Sequence, residues 1–171
     1  VSPSEFSSVN DQVYWQSGMI PVSEVPGQSG SALRIETVEV DGEISPGFAI
    51  LGGTPSGDED PLIFPGGFPF ADMAVTGIQA DLRYLIDESS PGYIVVQFKA
   101  NGLPVSGGPD DGGTFFFPIF GDVSVFTTTA FSFDPPLTQM PDSCVVGFIS
   151  NDLLSEPATG FVGNFLEVDN L

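Results

Sequence analysis

Proline and glycine interrupt this chain every few residues, 16 of the first and 21 of the second in 171 positions. Proline removes a backbone donor and clashes with the preceding helical turn, and glycine loses the most freedom on ordering. No window of about twelve residues keeps an apolar stripe at the 3.6-residue period, so helices do not organise this chain. Short β-rich runs between turn clusters remain. In Ser31 to Thr37, residues Leu33, Ile35 and Thr37 share one face, with Arg34 and Glu36 on the other. Gly77 to Asp87 alternates more strongly, Ile78, Ala80, Leu82, Tyr84 and Ile86 against Gln79, Asp81, Arg83 and Asp87. Tyr93 to Lys99 is apolar enough for a central strand buried on both faces. Asp122 to Phe133, Ser143 to Ser150 and Asn164 to Leu171 complete the set. Asp41-Gly42 reads as a turn. About nine or ten strands at such spacing predict an all-β, two-sheet sandwich or barrel. Phenylalanine, at 16 residues, lacks a polar handle, and most of these rings are expected between the sheets. In Phe115-Phe116-Phe117 the middle ring should face away from its neighbours. We expect a single domain over residues 1–171, with 1–12 as a loose N-terminal segment.

Charge then removes whole classes of function. Twenty-three Asp and Glu face three Lys and Arg, with no histidine, for a net charge of −20. Such a surface repels phosphate backbones and anionic membranes. Without imidazole there is no Ser-His-Asp or Cys-His pair. Hydrophobic residues are 41% of the chain, so the acids decorate a packed fold and this is no disordered tail. The balance suits salty water, where screening limits self-repulsion, and points to a marine or cation-binding extracellular setting. The lone cysteine, Cys144, excludes an internal disulfide and sits in an apolar run as a small hydrophobe. No stretch approaches the roughly 20 apolar residues of a membrane span. A chain beginning at Val1 with no leader fits a processed or excised module. Hard-cation binding, sugar recognition and two-carboxylate hydrolysis are the chemistries that survive.

Several landmarks recur in a familiar order. They are Ser29 to Thr37, Pro46 to Gly52, Gly67-Phe68-Pro69-Phe70, and Val75-Thr76-Gly77 leading into Leu82-Arg83-Tyr84. Pro141-Asp142-Ser143 and Val162 to Leu171 follow. From about Trp15 to Leu171 the chain resembles jelly-roll, galactose-binding-like modules of secreted and outer-surface Bacteroidota proteins. These include the putative carbohydrate metabolism domain and relatives of family-four-type carbohydrate-binding modules. The resemblance implies a two-sheet antiparallel jelly-roll β-sandwich, non-catalytic and fused to enzymes or adhesins. It also implies a structural calcium held by the Asp of the closing strand, here Asp169, with Glu36 as the expected early-strand partner. The chain departs from these modules in having only one Trp and three Tyr to stack on a sugar, and Arg83 where they carry Lys.

Four roles compete for the residues themselves. Calcium needs six to eight oxygens, which Asp58-Glu59-Asp60 and Asp110-Asp111 supply from glycine-rich loops, with Asp58, Asp60, Asp110 and Asp111 as candidate ligands. Such loops also arise as simple solvated acid. Sugar binding draws on Trp15, Tyr14, Tyr84 and Tyr93 as stacking rings, and on Asp81, Arg83, Gln97 and Lys99 as polar partners. Arg83, Gln97 and Lys99 are expected on one exposed sheet face, although core packing of Trp15 and cross-strand ion pairs account for the same residues. Hydrolysis needs two carboxylates at a set distance, and Glu39-Val40-Asp41-Gly42-Glu43 falls one residue short of the Glu-x-Asp-x-x-Glu strand of jelly-roll glucanases. A structural or adhesive bead would use exposed Phe64, Phe68 or Phe70 as a contact. The reading that follows is a non-catalytic, carbohydrate-binding-like accessory module of a secreted or cell-surface bacterial protein, possible Ca²⁺ included. Its expected partner is a glycan, neutral before anionic, with no nucleic acid and no membrane insertion. The structural or adhesive domain is the alternative, and a glycan-active enzyme the third.

Overall fold

A computed structural model describes residues 22–28, 30–51, 75–106, 112–135, 137–152 and 160–170, and the strand backbone of 68–69. Among these every regular element is a β-strand, thirteen in all and numbered along the chain. A five-stranded antiparallel sheet runs in the order β1 (Val22–Pro26), β2 (Ser31–Glu36), β13 (Phe165–Asp169), β7 (Gly77–Ile86) and β11 (Gly121–Ser132). A second antiparallel sheet is built from β10 (Thr114–Ile119), β8 (Gly92–Ala100), β12 (Ser143–Ile149) and β5 (Phe48–Leu51). Its six strands include β6 (Phe68–Pro69), which pairs with β12, and β9 (Leu103–Pro104), which pairs with β8. The hairpin β3 (Val38–Val40) and β4 (Glu43–Ser45) turns at Asp41 and Gly42, both at positive φ (52° and 87°), as a two-residue primed turn demands. The whole is an antiparallel β-sandwich of the jelly-roll class.

Period-two alternation places the core. Leu33, Ile35, Leu82, Ile86, Leu166 and Val168 of the five-stranded sheet meet Ile94, Val96, Phe98, Phe115, Val146 and Phe148 of the other. The β10–β11 connection carries the chain from one sheet to the other, and a phenylalanine cluster closes that side. Phe133 lies 4.9 Å from Phe98, edge-on, and 4.7 Å from Phe115, while Phe117 meets Phe131 at 4.9 Å. Phe116 points the other way, as the alternation of the triple requires. Cys144 is buried here, and loss of solvent pushes its thiol up to about 12.

A buried polar cluster fastens one end of the sandwich. Ser150 Oγ accepts from Gly47 N at 2.8 Å and shares a proton with Thr37 Oγ1 at 2.8 Å. Ser90 Oγ donates to Asn151 Oδ1, and Asp87 N donates to Asn164 Oδ1 at 3.2 Å. These bonds join the ends of β2, β5, β7 and β12, and satisfy groups that would otherwise be costly to bury.

Candidate functional site

Two outward faces could serve as sites, and they differ in access. On the six-stranded sheet, Tyr93, Val95, Gln97 and Lys99 alternate away from the core along β8. Phe116 and Thr114 sit beside Val95 and Gln97 on β10. Phe48, Ile50, Val145 and Ile149 complete a second apolar cluster there. This face is closed: Gln97 is buried and Lys99 is only 3% exposed. Gln97 Nε2 donates weakly to Thr114 Oγ1 at 3.4 Å. Desolvation lowers the Lys99 pKa, and burial with the Asp152 charge raises that of Tyr93. The described ends of both acidic loops lie near this part of the sheet. β5 stops opposite Val146, β6 resumes opposite Ser143 and Cys144, and Gly113 O accepts from Phe98 N at 2.9 Å.

The five-stranded sheet presents an open face. Register sets Glu167 on β13 directly between Arg34 on β2 and Arg83 on β7. Arg34 Nη1 donates to Glu167 Oε1 at 3.0 Å, and Arg83 Nε donates to Oε2. Arg34 Nε also reaches Glu36 Oε2 at 3.0 Å. The Glu167 side chain is 0% exposed, while the arginine side chains above it are 24% and 33% exposed. Each arginine lies over a ring, Arg34 at 3.8 Å from Phe165 and Arg83 at 5.1 Å from Phe126. The carboxylate bonds outweigh desolvation and hold both guanidiniums above their already high ordinary range.

The residues expected to act together are therefore separated. Arg83 belongs to one sheet and Gln97 with Lys99 to the other, so they share no face, and the last two are not exposed. Tyr84 points between the sheets and packs on the core, which removes it from Arg83's side of β7. Glu36 and Asp169 both point outward, but Glu36 stands opposite Phe165, four residues from Asp169. At about 3.3 Å per residue that is roughly 13 Å, too far to share an ion. Asp169 instead accepts from Gln28 N and Asn170 N, both at 2.9 Å, which ties β13 to the β1–β2 turn. Its register neighbour Asp81 accepts from Thr128 Oγ1 at 2.5 Å and Asn170 Nδ2 at 2.9 Å, bonds that lower its pKa. Among the described residues no group of three acidic or cysteine side chains converges as a metal site. Trp15, Tyr14, Asp58, Asp60, Asp110 and Asp111 lie outside the described residues, as do residues 1–12 and the side chains of Phe64, Phe68 and Phe70. A cross-strand acidic partner for Arg83 was expected and is Glu167, but the three-residue row with Arg34 was not anticipated. Its signal was present in the alternation, which turns all three outward beside inward Leu33, Leu82, Leu166 and Val168.

No protein-family model matches the chain, and no curated protein matches it as a relative. Solved structures do share its fold. A putative glycoside hydrolase from Bacteroides thetaiotaomicron VPI-5482 matches over 98% of this chain at TM-score 0.54 and 14% identity. A putative glycoside hydrolase from Bacteroides vulgatus ATCC 8482 matches over 88% at TM-score 0.53 and 14% identity. The chain spans 60% of the first and 75% of the second. At this identity the likeness establishes the sandwich. It also corrects the expected function, since a non-catalytic accessory or adhesive module is not what these neighbours are described as. That expectation leaned on the resemblance and on missing catalytic side chains, yet a pair of carboxylates suffices for most glycoside hydrolysis, and the chain has 23 acids.

Proposed function

We propose that this chain is a glycan-active β-sandwich of the glycoside-hydrolase type, secreted or held at the outer cell surface. The observation that carries the reading is the fold likeness over 98% of the chain to a protein described as a putative glycoside hydrolase. Composition supports it: with no histidine and 23 acids, carboxylates are by far the most numerous groups for acid-base chemistry. Asp58, Glu59, Asp60, Asp110 and Asp111 are the carboxylates we assign to that work. Their loops are rooted near the end of the six-stranded sheet where β5 stops and β6 and β10 begin. The test is release of new reducing ends from a panel of neutral and acidic polysaccharides, followed by Asp→Asn changes at 58, 60, 110 and 111. Loss of about 10²–10⁴ in kcat on at least one change is expected for a general acid or base. A folded protein that releases no reducing ends from the whole panel defeats the reading.

A further inference from the structure

The chain has three basic side chains, Arg34, Arg83 and Lys99. Lys99 is buried, so both basic side chains that reach solvent stand in one row on the five-stranded sheet. On a chain of net charge −20 this row is neutral, because Glu36 and Glu167 balance the two arginines. The arginines are not equally engaged. Arg34 spends Nε on Glu36 and Nη1 on Glu167. Among the described residues Arg83 spends only Nε, on Glu167, which leaves its two terminal amino groups as an unfilled fork. That fork matches the geometry of a carboxylate or sulfate.

The strand beside Arg83 departs from regular pairing at the same place. Val123 pairs with Tyr84 and Thr127 with Leu82, which leaves Ser124, Val125 and Phe126 opposite Arg83 alone. A bulge of this kind re-aims side chains, and bulges concentrate beside active sites. Here it sets the Phe126 ring at 5.1 Å from the guanidinium, on Arg83's side of the sheet. Leu85, two residues from Arg83 on the same side of β7, is 47% exposed. A charged fork is thus held in place by Glu167 and bordered by apolar surface that gains from being covered.

Resting on the glycan reading above, we infer that Arg83 receives the carboxylate or sulfate of an acidic saccharide, whose ring lies against Leu85 and Phe126. This reverses the preference for neutral glycans that net charge alone suggested. Charge elsewhere on the chain is screened over about 8 Å at physiological salt, so the contact at the fork decides.

Isothermal titration calorimetry at 0.15 M NaCl tests it with four probes: oligogalacturonate, its methyl ester, a sulfated cello-oligosaccharide and the unsulfated parent. The expected result is binding of one or both charged probes and at least tenfold weaker binding of the uncharged counterpart. Which charged probe binds separates carboxylate from sulfate. Arg83→Lys keeps the charge but loses the fork, and should weaken binding about tenfold. Arg83→Gln should abolish it, and a thermal melt reports whether each variant is folded. Equal binding of charged and uncharged probes, no binding of either charged probe, or unchanged binding by Arg83→Lys overturns the inference. Turnover of a neutral glycan alongside any of those results leaves the hydrolase reading standing, whereas acidic-probe binding with no turnover on any glycan fails only that reading.

Discussion

Replacing Glu167 by glutamine keeps its shape and removes its charge, and the consequence can be worked out from its surroundings. The side chain is 0% exposed and divides its carboxylate oxygens between two guanidiniums. Glutamine offers one oxygen and one amino group, so one arginine keeps an acceptor and the other meets a donor. Hydrogen bonds to charged groups contribute about 1.5–3 kcal/mol, and breaking a buried ion pair costs about 3–5 kcal/mol. Both arginine side chains reach water, 24% and 33% exposed, so their remaining charge is partly resolvated and the upper figures do not apply. Glu167→Gln should therefore lower stability by about 2–3 kcal/mol. Urea unfolding reads this as a fall in the midpoint at unchanged m. A cycle with Arg83→Gln should return a coupling of about 1–2 kcal/mol. Exchanging the whole row, Arg34→Met, Glu167→Leu and Arg83→Met together, should restore stability to within about 1 kcal/mol, because the row then holds no buried charge. If Glu167→Gln lies within about 0.5 kcal/mol of the parent, or the cycle closes to zero, the ion-pair argument is wrong.

Cys144 should resist a thiol-disulfide reagent in native buffer and react fully in denaturant, since its thiol is buried and pushed up to about 12; fast native reaction would contradict its place in the core. Lys99 is the only lysine and 3% exposed, so amine acylation followed by peptide mass mapping should leave it unmodified until the chain unfolds. Asp142 accepts from Asn101 N and Ser143 Oγ, both at 2.8 Å, and these bonds lower its pKa from 3.8. Its contribution is thus present above the unfolded value of 3.8 and is lost as pH falls through the lower folded value. Asp142→Asn should be the less stable protein at neutral pH and converge with the parent in acid; a constant gap across that window would place its effect outside titration.

Much of the sandwich was legible because it depends on local period. Alternation in Gly77 to Ile86 named the residues that now face the core, and Asp41-Gly42 carried its own turn. The continuous apolar run of Tyr93 to Lys99 announced burial on both sides, and the Phe115-Phe116-Phe117 triple divided its rings as its spacing required. Partners were another matter. Glu167 meets Arg34 across 133 positions and Arg83 across 84, and no local window contains that information. A register shift of one residue in β13 would have turned Glu167 to the other face, away from both arginines. Sheet membership is equally remote: Arg83 and Lys99 sit on consecutive long strands, yet the turn between them carries the chain from one sheet to the other. The expansion of β11 opposite Arg83 arises only where two strands pair out of step. Composition and period alone determined that this chain would be an acidic two-sheet sandwich or barrel, with phenylalanines such as Phe98, Phe115 and Phe148 in its core. Tertiary structure decided which charges meet and which face stays open, because those follow from pairings between distant segments and not from the preferences of any one strand.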